Sequence, residues 1–307
     1  MASTRWLSGG ALHRVPPWTL AVTAMVGIQV GSALSLPLLD AVGPAGTAWL
    51  RLTFGSVFFL LVARPAVRLL RRGDLPGLLG LGIATGVMTA SFLAALERIP
   101  LGTTVAIEFL GPLTVAAWNS KSWKGAIWPA VALGGVVCLT EPWSVEFDLL
   151  GVSFALLAGV GWGSYIVLTQ HVGDRFAGIQ GLALSTPIAA ATAAVVGIPQ
   201  AWGQITPQIL LMALGLALLI PVIPFALEML ALKRMNQHAF GTLMAVEPAI
   251  AAIVGLIILL QIPEVLDVVG VCAVVAAGIA TQRMSGREET FVTDVAVEAK
   301  TDSREVT

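Results

Sequence analysis

Two carboxylates sit where the surrounding chain is almost entirely oily. Glu108 lies in ALERIPLGTTVAIEFLGP, residues 95–112, within a run that is otherwise apolar or small from Leu101 to Trp118. Glu247 lies in ALKRMNQHAFGTLMAVEP, residues 231–248. The first stands four residues before Pro112 and the second one residue before Pro248. Positions three apart on a helix share a face, so both segments aim a carboxylate at much the same surface, one turn apart in height. Each proline also removes the hydrogen bond to the carbonyl four residues earlier, which frees the carbonyls of Glu108 and Met244. Freed backbone is tolerated at membrane depth only where protein or a watery cavity satisfies it. A charged acid at the bilayer centre costs about 3 kcal/mol on insertion scales, and acids in spans mark substrate pathways or proton relays. Their other use is as protonated contacts between helices. The pattern predicts a polar pocket between apolar walls, with Glu108 and Glu247 holding a substrate or a proton. Glu228, in IPVIPFALEML, reads equally as a third member or as a boundary residue beside Lys233 and Arg234. Glu264 and Asp267 begin the last apolar run and read as interface residues.

The solvent around these acids follows from composition. The chain has 307 residues, 57% hydrophobic and only 11% charged, whereas a soluble domain carries about a quarter charged residues. It is read as an all-α integral membrane protein. The net charge of −1 and the scattered basic residues offer nothing to nucleic acid. Cys138 and Cys272 lie in apolar runs and read as small packing residues. No metal-ligand cluster, phosphate-binding loop, H-E-x-x-H or G-x-S-x-G occurs, and His13, His171 and His238 are dispersed. No cofactor, metal or enzymatic chemistry is therefore expected.

A helix needs about 20 apolar residues to cross a bilayer. Runs near 18–38, 45–63, 75–96, 101–119, 125–140, 149–170, 177–198, 208–231, 237–260 and 264–282 predict ten transmembrane helices joined by short loops. Residues 1–17 read as a cytoplasmic leader without a cleavable signal, and 283–307 as a disordered cytoplasmic tail. Alternate loops carry the basic residues: Arg5, Arg14, Arg64, Arg68, Arg71, Arg72, Lys121, Lys124, Arg175, Lys233, Arg234, Arg283 and Arg287 on one side, only Arg98 on the other. This bias places both termini in the cytoplasm of a cell whose cytoplasmic membrane holds the chain.

The two acid segments are also copies. At an offset of 136, Ala95, Leu96, Arg98 and Pro112 match Ala231, Leu232, Arg234 and Pro248. GIQVGS at 27–32 echoes GVGWGS at 159–164. The chain is expected to be a 5+5 inverted-topology repeat, 18–141 and 149–282, because an odd number of spans makes the second copy enter from the opposite side. Inverted repeats are the architecture of alternating-access transporters, with the site near the midplane between the halves. No length remains for a nucleotide-binding domain, so energy would come from an ion gradient.

Gln29 lies mid-span between Gly27 and Gly31, a spacing that suits either close helix packing or a lined cavity. Trp162 and Tyr165 lie one turn apart in the matching helix, away from the interfacial belt, and are read as cavity-lining or core. Pro221 and Pro224, with Pro112 and Pro248, interrupt regular helix near the moving region. Arg51 is read as reaching out to the interface.

The segments EFLGP and GTLMAVEPAIAA, with LEMLALKR before the latter, closely resemble the drug/metabolite transporter superfamily, specifically the threonine/homoserine exporter branch of the EamA family. GIQVGSALS, WLRLTFGS, PLGTTVAIEFLGPL and GWGSYIVL extend the similarity over nearly the whole membrane region. The resemblance implies a 5+5 helical repeat, a central cavity built by both halves, and export of small amino acids or related metabolites. Glu108, Glu228 and Glu247 occupy the positions of the branch's acidic residues. The chain departs from the pattern at Thr89 and Ala90, where an Asn and an aromatic are expected, and at QIPE, which moves an acid to Glu264. Thr89 is thereby placed on a wider, less polar cavity wall. The expected mechanism is proton antiport with a small-molecule substrate. The rivals are an ion-coupled importer, a polyspecific drug exporter and, from another class, an intramembrane enzyme or receptor.

Overall fold

The computed structural model describes residues 15–65, 70–119, 127–144, 147–173, 176, 180–232, 237–281 and 283. Most of the proposed leader and tail, and most of the basic residues behind the expected orientation, lie outside the described residues. Among the described residues every regular element is helical.

The chain forms α1 (Pro17–Ala33), α2 (Leu36–Ala63), α3 (Leu75–Leu96), α4 (Leu101–Glu108), α5 (Leu110–Asn119), α6 (Ile127–Thr140) and α7 (Leu149–Gly173). It continues as α8 (Gln180–Ala201), α9 (Pro207–Ala217), α10 (Ile223–Leu232), α11 (Gln237–Met244), α12 (Glu247–Ile258) and α13 (Val265–Thr281). Four stretches are by themselves long and apolar enough to cross a membrane: Leu36–Ala63, Arg72–Leu96, Leu149–Thr169 and Gln180–Ala201.

Several shorter helices continue one another, and their breaks fall where the sequence removes hydrogen bonds or relaxes sterics. Pro112 follows the junction of α4 and α5 at Phe109, and Pro248 sits in the first turn of α12, just past the junction with α11. A π-helical turn, Leu218–Val222, joins α9 to α10, with Ile220 in an extended conformation before Pro221. The first apolar run ends sooner than its composition suggests. α1 stops at Ala33, and residues 36–42 already belong to α2, which bends at Gly43. Gly43 has φ +71°, a left-handed conformation that a side chain disfavours.

Helix contacts come in matched pairs. The most extensive contact is α2 along α8; α3 lies on α7 and α1 on α10; α3 lies on α8 and α2 on α9. α7 packs on α4 and α5, just as α1 packs on α11 and α12, and α4 crosses α12. Gly278 of α13 abuts both proline-associated breaks: a Cβ there would lie 2.7 Å from the Ala245 methyl and 2.8 Å from the Phe109 ring.

Polar caps lock the helix starts. Gln200 Oε1 accepts from the backbone N–H groups of Ala45 (2.8 Å) and Gly46 (3.1 Å), orphan donors where α2 restarts after Pro44. Gln261 Oε1 accepts from Leu101 N at the start of α4 (3.0 Å). Gln200→Ala should lower stability by about 1 kcal/mol, because two helix-start donors, one of them partly buried, lose their acceptor. Gln200→Glu keeps an acceptor and should recover most of the loss in detergent melting curves.

Asp148 caps α7, accepting from Gly151 N (2.8 Å), and pairs with Arg98 Nε (3.0 Å). The Gly151 N–H and then the Arg98 side chain hold its carboxyl below the ordinary value of 3.8. A lowered folded pKa gives stability that is present above the ordinary value and lost as pH falls through the lowered one. Asp148→Ala should therefore melt earlier than wild type at neutral pH, with the gap closing under acid conditions.

Candidate functional site

A cavity of about 270 Å³ opens at the meeting of α1, α2, α3, α4, α7, the π turn, α10, α11 and α12. Gln29, Thr89, Glu108, Trp162, Tyr165, Pro221, Pro224, Glu228 and Glu247 all line it, together with Arg51 and Met244. The polar groups among them are largely withdrawn from solvent: Gln29 is 2% exposed, Glu247 3%, Arg51 6% and Glu108 8%.

Local chemistry explains how the two halves of the chain meet here. Gln29 Nε2 donates to Glu247 Oε1 at 3.0 Å across 218 residues of sequence. Gln29 Oε1 and Glu247 Oε2 have no partner within the protein. Glu247 opens α12, where the positive end of the helix dipole favours a carboxylate. Gly31, two residues after Gln29, lets α1 press on Ile220, since a Cβ there would come within 2.6 Å of that side chain.

Glu108 ends α4. Pro112 withdraws the N–H that would have bonded its carbonyl, and Gly159 of α7 fills that side: a Cβ on Gly159 would lie 3.0 Å from Glu108 O. Gly111 meets the same helix so closely that a Cβ would overlap the Gly159 carbonyl. Trp162 lies edge-on to Phe109, 6.0 Å between ring centres at 71°, so it both lines the cavity and packs the break. Thr89 Oγ1 donates to Thr85 O (2.8 Å), so its one donor is turned to the backbone of its own helix. Pro112 and Pro248 are not among the lining residues and act on the backbone behind the wall.

One residue sits differently from its sequence reading. Arg51 does not reach the interface. Its Nη1 donates to Ser35 Oγ (3.2 Å), Ser35 Oγ donates to Gly31 O (2.7 Å), and the side chain stays in the cavity wall. Its burial beside the tripeptide WLR carried no periodic signal, because the pocket side of α2 is set by packing on α8. Glu228 lines the cavity, in line with the first of its two sequence readings. No cluster of three potential metal ligands occurs among the described residues.

Helices from both ends of the chain thus enclose a buried, charged cavity within an apolar bundle, the layout of a multi-pass membrane carrier. The model of the EamA-like transporter family matches residues 149–281. The threonine/homoserine exporter RhtA of Salmonella typhimurium strain LT2 is 34% identical over 287 residues, covering 91% of this chain and 96% of that protein. RhtA of Escherichia coli K12 is 33% identical over 275 residues, covering 87% and 92%. A solved crystal structure superimposes with a TM-score of 0.56 at 17% identity, over 88% of this chain and 98% of the other, and shares the fold. The chain belongs to the EamA-like transporter family.

Proposed function

We propose that the protein exports small amino acids of the threonine/homoserine kind, or closely related metabolites, across the cytoplasmic membrane in exchange for protons. One observation carries this reading: Glu108, Glu228 and Glu247 share one buried cavity whose walls come from both halves of the chain. A carboxylate away from water needs a proton or a cationic group beside it. An amino acid offers an ammonium, and a proton can take its place. Competition for the same acids then couples export to proton entry.

The reading includes ten spans in two inverted five-helix repeats, 18–141 and 149–282, with both termini in the cytoplasm. The end-to-end helices support it, since α4 with α5, α9 with α10, and α11 with α12 each make one span-length unit. The matched contacts support it as well: exchanging the two proposed repeats maps α3–α7 onto α1–α10 and α3–α8 onto α2–α9. In this orientation Gln200, Gln261 and the Arg98–Asp148 pair lie at the outer end, where they tie the halves together, and transport requires these ties to release.

The test is counterflow of labelled threonine and homoserine into proteoliposomes holding the full chain, alongside a panel of metabolites and cationic drugs. Exchange of small neutral amino acids, accelerated by an imposed pH gradient, is the expected result. Exchange confined to cationic drugs, or exchange indifferent to pH, would overturn it.

A further inference from the structure

We infer that Arg51 is the receptor for the substrate's carboxylate, which makes the cavity selective for zwitterions over simple amines; this deepens, and rests on, the amino-acid reading above. Arg51 is buried, its Nε has no partner in the protein, and its one hydrogen bond is to a neutral hydroxyl, Ser35 Oγ. Among the described residues no carboxylate is paired with it within salt-bridge distance. A buried cation without a counter-ion costs several kcal/mol and is retained where an anion joins it. A guanidinium is built to take a carboxylate through two parallel hydrogen bonds, and here Nε is free to provide one of them.

The opposite pole is Gln29 Oε1 and Glu247 Oε2, acceptors without partners that suit an ammonium. Gln29 lies in α1, and Ser35, the residue that holds the Arg51 guanidinium, lies six positions on in the turn just past the helix end at Ala33, about 9 Å away if the helical rise is continued to it. A zwitterion with a hydrogen bond of about 3 Å at each end fills a gap of that order. A lone amine would leave Arg51 uncompensated, and a lone anion would face Glu108 and Glu247 with no cation to offer them. The same arrangement disfavours cationic drugs.

Inhibition of labelled threonine counterflow by threonine and by threonine amide tests this directly, at about pH 6, where the amide keeps its ammonium. Wild type should prefer threonine about 100-fold, the loss expected when one partner of a buried charge pair is removed. Arg51→Gln should raise the KM for threonine about 100-fold and bring the two inhibitors close to parity. Arg51→Lys, which keeps the charge but not the fork, should fall between. Wild type accepting the amide as readily as the acid overturns the inference, and so does Arg51→Gln losing both equally. The wild-type comparison decides the matter even where a variant fails to fold. A wild type that exchanges no amino acid at all counts against the export reading instead.

Discussion

In Glu247→Gln, a pH gradient no longer drives amino-acid accumulation in proteoliposomes, and the rate falls about 100-fold or more. The amide retains the carbonyl that accepts from Gln29 Nε2, so the 3.0 Å contact and the packing around it survive. It loses the ability to hold a proton in one half of the cycle and a charge in the other. Substitution therefore removes coupling without emptying the cavity. Glu108→Gln should share the phenotype, because Glu108 faces the same volume from α4 and both acids are more than nine-tenths buried. The decisive comparison is the pH profile of exchange, not its rate alone. Two variants that exchange substrate with the wild-type pH dependence would leave proton coupling without support.

Gly111→Ala should be among the most damaging single-methyl changes in the chain. The added Cβ would overlap the Gly159 carbonyl oxygen, come 2.7 Å from its carbon and 3.1 Å from Gly163 N. All three are backbone atoms of α7, so no rotamer change relieves the overlap, and α5 must move away from α7. Overpacking of this kind costs about 1–3 kcal/mol, at the upper end where the backbone must shift. The displacement also reaches Glu108, three residues earlier, whose carbonyl rests against Gly159. Melting temperature and transport should therefore fall together. Gly134→Ala and Gly215→Ala provide the contrast, since nothing lies within 4 Å of a Cβ at either site. Alanine is the better helix former by about 1 kcal/mol, so these two should hold or raise stability. Equal behaviour of all three variants would contradict the close crossing of α5 and α7.

The sequence by itself determined the class of solvent, the helical periods and the pair of proline-flanked acids. These are local properties: a run of apolar residues, a missing N–H, a carboxylate with no neighbouring charge. Glu108 and Glu247 were legible because an acid is conspicuous in oil, and Gln29, Trp162, Tyr165 and Pro221 because each interrupts an otherwise apolar or helical stretch. The membership of one cavity was not legible. It depends on α1 lying against α10 and α12, and on α4 crossing α12, contacts between segments far apart in the sequence, 218 residues apart in the case of Gln29 and Glu247. Arg51 shows the difference most clearly. In the sequence it is a basic residue near the end of a span, a place where side chains commonly reach for water. Only the tertiary structure turns it inward, because the packing of α2 on α8 fixes which face of α2 meets the cavity, and Ser35 then holds the guanidinium there.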